Sequence, residues 1–168
     1  MSREESIRTM NTKDEVVTIF VPAAAEYVDL VRLALYGIAC KMGFSYEEIE
    51  DMKVALSEAC NNAVLHAYGD LADGAAIIAK MPEPRVEIRF IKQSDALSIV
   101  VKDDGSSFDA AAAARQAESM HGKSIADIEA GGLGLYLMQA LMDQVEVLSG
   151  EGTQVMMTKR LTRSGEWA

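Results

Sequence analysis

The sequence predicts an α+β fold, a sandwich of helices against a sheet. Residues 23–67 carry helical periodicity interrupted at Gly43. Residues 85–102 and 145–161 each read as paired strands around a polar turn. Helices come early and strands cluster late, an order that favours an α+β sandwich over alternating βαβ units.

Residues 1–14 are charged and polar and read as a flexible arm. Glu15–Val21 is a predicted strand, because Val16, Val17, Ile19, Phe20 and Val21 are β-branched or aromatic and Pro22 ends the run. Ala23–Met42 is a predicted helix whose core positions are Tyr27, Leu30, Val31, Ala34, Leu35 and Ile38, with Gly43 as its stop. Ser45 followed by Glu48 is a capping-box pattern. The helix that it opens, Tyr46–Ala67, has Ile49, Met52, Leu56, Ala59 and Ala63 on its core face. Gly69–Gly74 reads as a loop, Ala75–Lys80 as a short strand, and the proline-bearing Met81–Arg85 as a turn. Arg85–Lys92 and Ala96–Lys102 flank Gln93-Ser94-Asp95 as a hairpin. Asp103–Ala130 is rich in small residues, charges and glycine, with helix propensity at Ala110–Ser119. Gly134–Met142 reads as a short helix, and Val145–Leu148 and Thr153–Leu161 as the last strands. No repeat or linker divides the chain, so a single domain is expected over 15–161, with a C-terminal tail at 162–168.

Composition narrows the function classes. At 168 residues there is room for one domain, and 49% hydrophobic residues exclude disorder throughout. A net charge of −10 argues against direct nucleic-acid binding, which needs a basic stripe. ATP is still permitted, because backbone amides and a metal can hold its phosphates. The apolar runs Val31–Ala39 and Leu133–Met142 fall well short of the roughly 20 residues of a membrane span. Met1–Asp14 has no apolar segment of the signal-peptide kind. Cys40 and Cys60 fall in helical apolar patterns and are expected to be buried, reduced thiols. The expectation is a cytoplasmic protein without membrane contact.

Four features exceed what packing requires. Glu58, Asn62 and His66 are spaced four apart and share one helix face; alone, this could be a solvated polar stripe. The β-branched run Ile99-Val100-Val101 leads to Asp103-Asp104-Gly105, either an ordinary turn or a carboxylate fixed at a strand end. Gly131-Gly132-Leu133-Gly134-Leu135 opens a helix, where glycine amides can approach phosphate. Gly152-Thr153 begins the last strand. A dinucleotide fingerprint fails because Leu137 stands where its third glycine belongs, and Gly122-Lys123-Ser124 lacks a P-loop's earlier glycine, which is Ala117 here.

In this order, the features resemble the GHKL (Bergerat-fold) ATP-binding superfamily. Glu58-Ala-Cys-Asn-Asn62 is similar to its N box, Asp103-Asp-Gly105 to its G1 box, and Gly132-Leu-Gly134 to its G2 box. The longer stretches 51–68, 104–109 and 131–143 resemble the anti-sigma-B serine-protein kinase family, and the likeness extends over about Glu15–Leu161. It implies a two-layer α/β sandwich: a mixed, mostly antiparallel sheet with helices on one face. It also implies roles. Glu58 corresponds to the general base and Asn62 to the residue whose amide oxygen binds Mg²⁺. Asp103 corresponds to the acceptor of the adenine amino group, and Gly105 allows the base to approach. Gly132, Leu133, Gly134 and Leu135 would offer backbone amides to the phosphates, Thr153 would lie near the base, and residues 106–130 would be an ATP lid. One departure is Ser107, where many superfamily members carry a second G1 glycine. His66 could line the phosphate side or be structural.

The resemblance further implies two activities: binding an alternative sigma factor of the sigma-B type, and phosphorylating a serine of its anti-anti-sigma antagonist. A homodimer is usual for such proteins, and an acidic chain suits a sigma factor's basic DNA-facing surfaces. Two alternatives share the boxes. One is a nucleotide-binding module that switches partners without phosphoryl transfer, against which the intact Glu58 argues. The other is a histidine-kinase-like catalytic domain. It would need an acceptor histidine on an upstream helix, yet the histidines are His66 and His121, within the N box and the lid.

Overall fold

The computed structural model describes residues 13–68, 84–103, 132–150 and 152–162. The expected strand at 75–80, the lid at 106–130, Gly105 and His121 lie outside them. Strand β1 is Glu15–Pro22, and a 3-10 turn at Ala25–Tyr27 leads into helix α1, Val28–Met42. Helix α2 is Tyr46–Tyr68. Strands β2 (Arg85–Lys92) and β3 (Ala96–Asp103) precede helix α3 (Leu133–Leu141), which is followed by β4 (Gln144–Gly150) and β5 (Gly152–Arg160).

The strands form one sheet in the order β1-β2-β3-β5-β4. Every pairing among these strands is antiparallel, so no parallel pair of the expected mixed sheet occurs among the described residues. Strand alternation sends Val86, Ile88, Phe90, Leu97, Ile99, Val101, Val155 and Met157 to the helix-covered face, where all are buried. The α2 face predicted from periodicity packs there too: Ile49, Met52, Leu56, Ala59 and Ala63 are buried. On the opposite face Ser98 and Thr158 share a 2.8 Å hydroxyl–hydroxyl hydrogen bond across β3 and β5.

Two expectations about α1 need correction. Leu30, assigned by periodicity to the core, is 52% exposed, and Cys40 is exposed. The reason is helical phase. The α-helix starts at Val28, after a separate 3-10 turn, and its buried stripe is Val31, Leu35 and Ala39. Leu30 and Cys40 each sit one residue off that stripe, about 100° around the axis.

The turn into α2 is set by local chemistry. Gly43 adopts a left-handed φ of 90°, and the Phe44 N–H reaches back to the Ala39 carbonyl at 3.2 Å. Phe44 is thereby buried. The Ser45 N–H donates to Glu48 Oε2 at 2.7 Å, and the Glu48 N–H donates to Ser45 Oγ at 3.2 Å, the reciprocal capping box foreseen in the sequence. Replacing Ser45 by Ala is expected to destabilise the fold by about 1 kcal/mol. Urea denaturation checks this: the midpoint should fall with an unchanged slope. No helix among the described residues is long and apolar enough to cross a membrane.

Candidate functional site

The site begins on α2. Glu58 and Asn62 stand one helical turn apart, both half-buried, while their neighbours Ala59, Cys60 and Ala63 are buried in the core. The stripe they form is not a solvated face, because α3 packs against α2 at this level. A Cβ built on Gly134 would lie 3.1 Å from Glu58 Oε2, 3.1 Å from Asn62 Nδ2 and 3.5 Å from Asn62 Oδ1. The carboxylate, the amide and the start of α3 are therefore in contact. Neither side chain hydrogen-bonds another described residue. A half-buried carboxylate and amide left in this way are suited to an external ligand.

Helix α3 supplies the opposite wall. Its N-cap is Gly132, which has no side chain to cap with, and its first turn holds no acidic residue. The first N–H groups of a helix lack internal partners, so this end offers donors and partial positive charge. Gly134 and Leu135 are buried and Leu133 is half-buried. The third part is the sheet. Asp103, only 4% exposed, ends β3 opposite Thr153 of β5, itself 8% exposed, and Val86 of β2 lies on its other side. By register both polar residues share the helix-covered face. Apolar neighbours in β3 thus carry a carboxylate into a buried position.

The structure brings together Glu58, Asn62 and Gly134 directly, and Asp103 with Thr153 as a cross-strand pair. Gly105 and the side chain of His66 lie outside what is described. Cys60 adjoins the site in sequence but faces the core, lining a small cavity with Val21, Val31, Val64 and Val86. Burial pushes its thiol up to about 12, so it stays protonated and is neither nucleophile nor metal ligand at neutral pH.

Among the described residues no group of three or more His, Cys, Asp or Glu side chains could hold a metal by itself. Mg²⁺ takes one or two protein oxygens and leaves the remainder to phosphate and water, and an amide oxygen such as Asn62 Oδ1 is a donor of that kind. Asn62 Oδ1 borders the space that a Cβ on Gly134 would fill. What sequence reasoning missed is the contact of Gly134 with both α2 side chains. Glycine at 134 is visible in the sequence, but its neighbours come from the other half of the chain.

Residues 21–159 match the family model described as histidine kinase-like ATPase domain, a span that contains Glu58, Asn62, Asp103, Gly132–Leu135 and Thr153. A structure of the RsbU and RsbW domains of Rv1364c from Mycobacterium tuberculosis superimposes with a TM-score of 0.60 over 92% of this chain, at 21% identity. The chain spans about a third, 34%, of that longer protein, so this likeness speaks for the fold. The class is thus an ATP-using domain of the histidine kinase-like ATPase type. Serine-protein kinase RsbW of Bacillus pumilus is 44% identical over 92% of this chain and 91% of that protein. The RsbW proteins of Bacillus subtilis and Bacillus licheniformis are 42% and 46% identical over 90% and 84% of this chain, and it covers 89% and 83% of them. The chain belongs to the RsbW serine-protein kinases within the histidine kinase-like ATPase family, and it is a protein-serine kinase.

Proposed function

We propose that this kinase is an anti-sigma factor: it holds an alternative sigma factor of the sigma-B type away from RNA polymerase, and it phosphorylates a serine of the anti-anti-sigma protein that competes for it. The observation that carries the reading is the convergence of Glu58 and Asn62 on the glycine-opened start of α3. Phosphoryl transfer to a serine needs a base at the hydroxyl, a metal-bearing triphosphate and donors for the phosphates, and this arrangement can supply all three.

The roles are those that the family resemblance implies, and the donor chemistry suits them. The Glu58 carboxylate accepts the proton of the substrate serine hydroxyl as its oxygen attacks the γ-phosphorus. Asn62 would hold Mg²⁺ through Oδ1; when bound, the ion neutralises phosphate charge, and a neutral amide suffices because the triphosphate is itself anionic. Backbone amides at Gly132, Leu133, Gly134 and Leu135 receive the phosphates. Asp103 accepts a hydrogen bond from the adenine amino group and Thr153 lies beside Asp103; by the family resemblance, Gly105 and residues 106–130 would serve the same nucleotide. Exposed Val16, Val17 and Phe20 on β1, and Leu30, Leu33 and Tyr36 on α1, are surfaces that protein partners or a second copy can cover. Such regulation belongs in the cytoplasm, where the polymerase is.

The direct test is incubation with γ-labelled ATP, Mg²⁺ and a candidate antagonist, followed by mapping of the phosphorylated residue. Label on a serine of the antagonist supports the reading; ATP turnover with no label on any partner overturns it. For the base pocket, Asp103→Asn is expected to weaken ATP by about 10- to 100-fold, the worth of a hydrogen bond to a charged group. Calorimetric titration with ATP and GTP checks this. The ATP preference should shrink, whereas equal loss for both nucleotides would mean a damaged fold instead.

A further inference from the structure

We infer that Gly134 is a positioning residue for the reaction, and that it acts through the side chain it lacks. This rests on the reading of Glu58 as the base. A backbone donor to phosphate can be any residue except proline, because every other residue keeps its N–H. Donation therefore survives at this position in any residue but proline, and what glycine adds is the missing Cβ, beside the phosphates and beside whatever faces it. Helix α3 covers Leu133–Leu141, and glycine is among the poorest helix formers, so local propensity speaks against it. Gly134 is in the first turn of α3 with ordinary helical neighbours, and no left-handed conformation requires it.

The requirement comes from across the site. With a Cβ at 134, Glu58 Oε2 and Asn62 Nδ2 would each be 3.1 Å away, closer than such contacts normally run, while Asn62 Oδ1 at 3.5 Å would be at ordinary distance. The atoms that must give way are the ends of side chains, not backbone. Alanine at 134 is therefore compatible with the fold and moves the two groups by a few tenths of an ångström. The carboxylate bears the crowding on a reacting atom. The amide bears it on Nδ2, and because the group is rigid its Oδ1 shifts by a similar few tenths of an ångström. Transfer depends on the exact place of the base and should suffer more than ATP binding, which the retained backbone N–H groups still support. Gly37, in the middle of α1, supplies the contrast: a Cβ there meets nothing within 4 Å.

The experiment is Gly134→Ala in the full chain, with Gly37→Ala as the control for helix propensity. For Gly134→Ala, kcat for phosphoryl transfer to a protein substrate should fall roughly tenfold, since a full ångström of misplacement can cost about a hundredfold, while ATP affinity stays within about threefold. Gly37→Ala should raise Tm by about 2–4 °C and leave kcat alone. A second readout is independent of activity: thermal melts of Gly134→Ala in the wild-type and Glu58→Ala backgrounds. Removing Glu58 removes half the crowding, so alanine at 134 should raise Tm more in the Glu58→Ala background. Wild-type kcat in Gly134→Ala, or the same Tm change in both backgrounds, overturns the proposal. Failure of the base assignment is read separately: in that case Glu58→Gln would transfer phosphate normally.

Discussion

Glu58→Gln is expected to slow phosphoryl transfer by about 10²- to 10⁴-fold, the usual contribution of a positioned general base. The substitution keeps shape and helix propensity but removes the capacity to take a proton at neutral pH. Glu58 is half-buried on a helix whose adjacent residues Ala59 and Cys60 are core, so the replacement is held in the same place. Nucleotide binding should survive, because the carboxylate is assigned to the serine hydroxyl and not to ATP. Single-turnover transfer with labelled ATP, beside equilibrium titration with the same nucleotide, separates the two quantities. A variant that transfers at the wild-type rate removes Glu58 from the chemistry.

Asn62→Ala should lower affinity for Mg-ATP by roughly 100-fold, since even residues that only support a metal ligand contribute about 10–100-fold. The loss should vanish in excess chelator: metal-free ATP should bind variant and wild type alike. Titrations with and without Mg²⁺ check this, and an affinity indifferent to the metal in the wild type would sink the assignment. The mutation also shortens a side chain in contact with Gly134, but it adds no bulk there, so α3 keeps its seat.

Much of the fold was legible because its signals are local. The capping box at Ser45 and Glu48 and the glycine stop at Gly43 fix where α2 begins, and both lie within a few residues of their partners. Strand alternation at 85–103 gave the hairpin directly. The phase of α1 was less legible. Tyr27 and Leu30 fit the same spacing as Val31 and Leu35, and packing against α2, a separate stretch of sequence, decides which stripe is buried. The site residues were visible as types, since a carboxylate and an amide on an apolar helix cost stability if they serve nothing. Their convergence was not visible. Glu58 and Asn62 meet Gly134, and Asp103 meets Thr153, through pairings between distant segments that no window of sequence contains.

The strand order has a consequence for how the protein is born. Strand β5 is the last described strand in the chain, yet it sits inside the sheet between β3 and β4. Until it joins the sheet, the β3 flank that it covers is open and β4 has no neighbour among the described strands, so the nascent chain exposes adhesive strand edges. Thr153 is on that strand, opposite Asp103. The cross-strand pair proposed for the base pocket therefore cannot form before β5 has joined the sheet. Such distant pairings make for slow folding and a period of vulnerability to aggregation. The insertion of one strand thus joins β3 to β4 and brings Thr153 beside Asp103 in a single step.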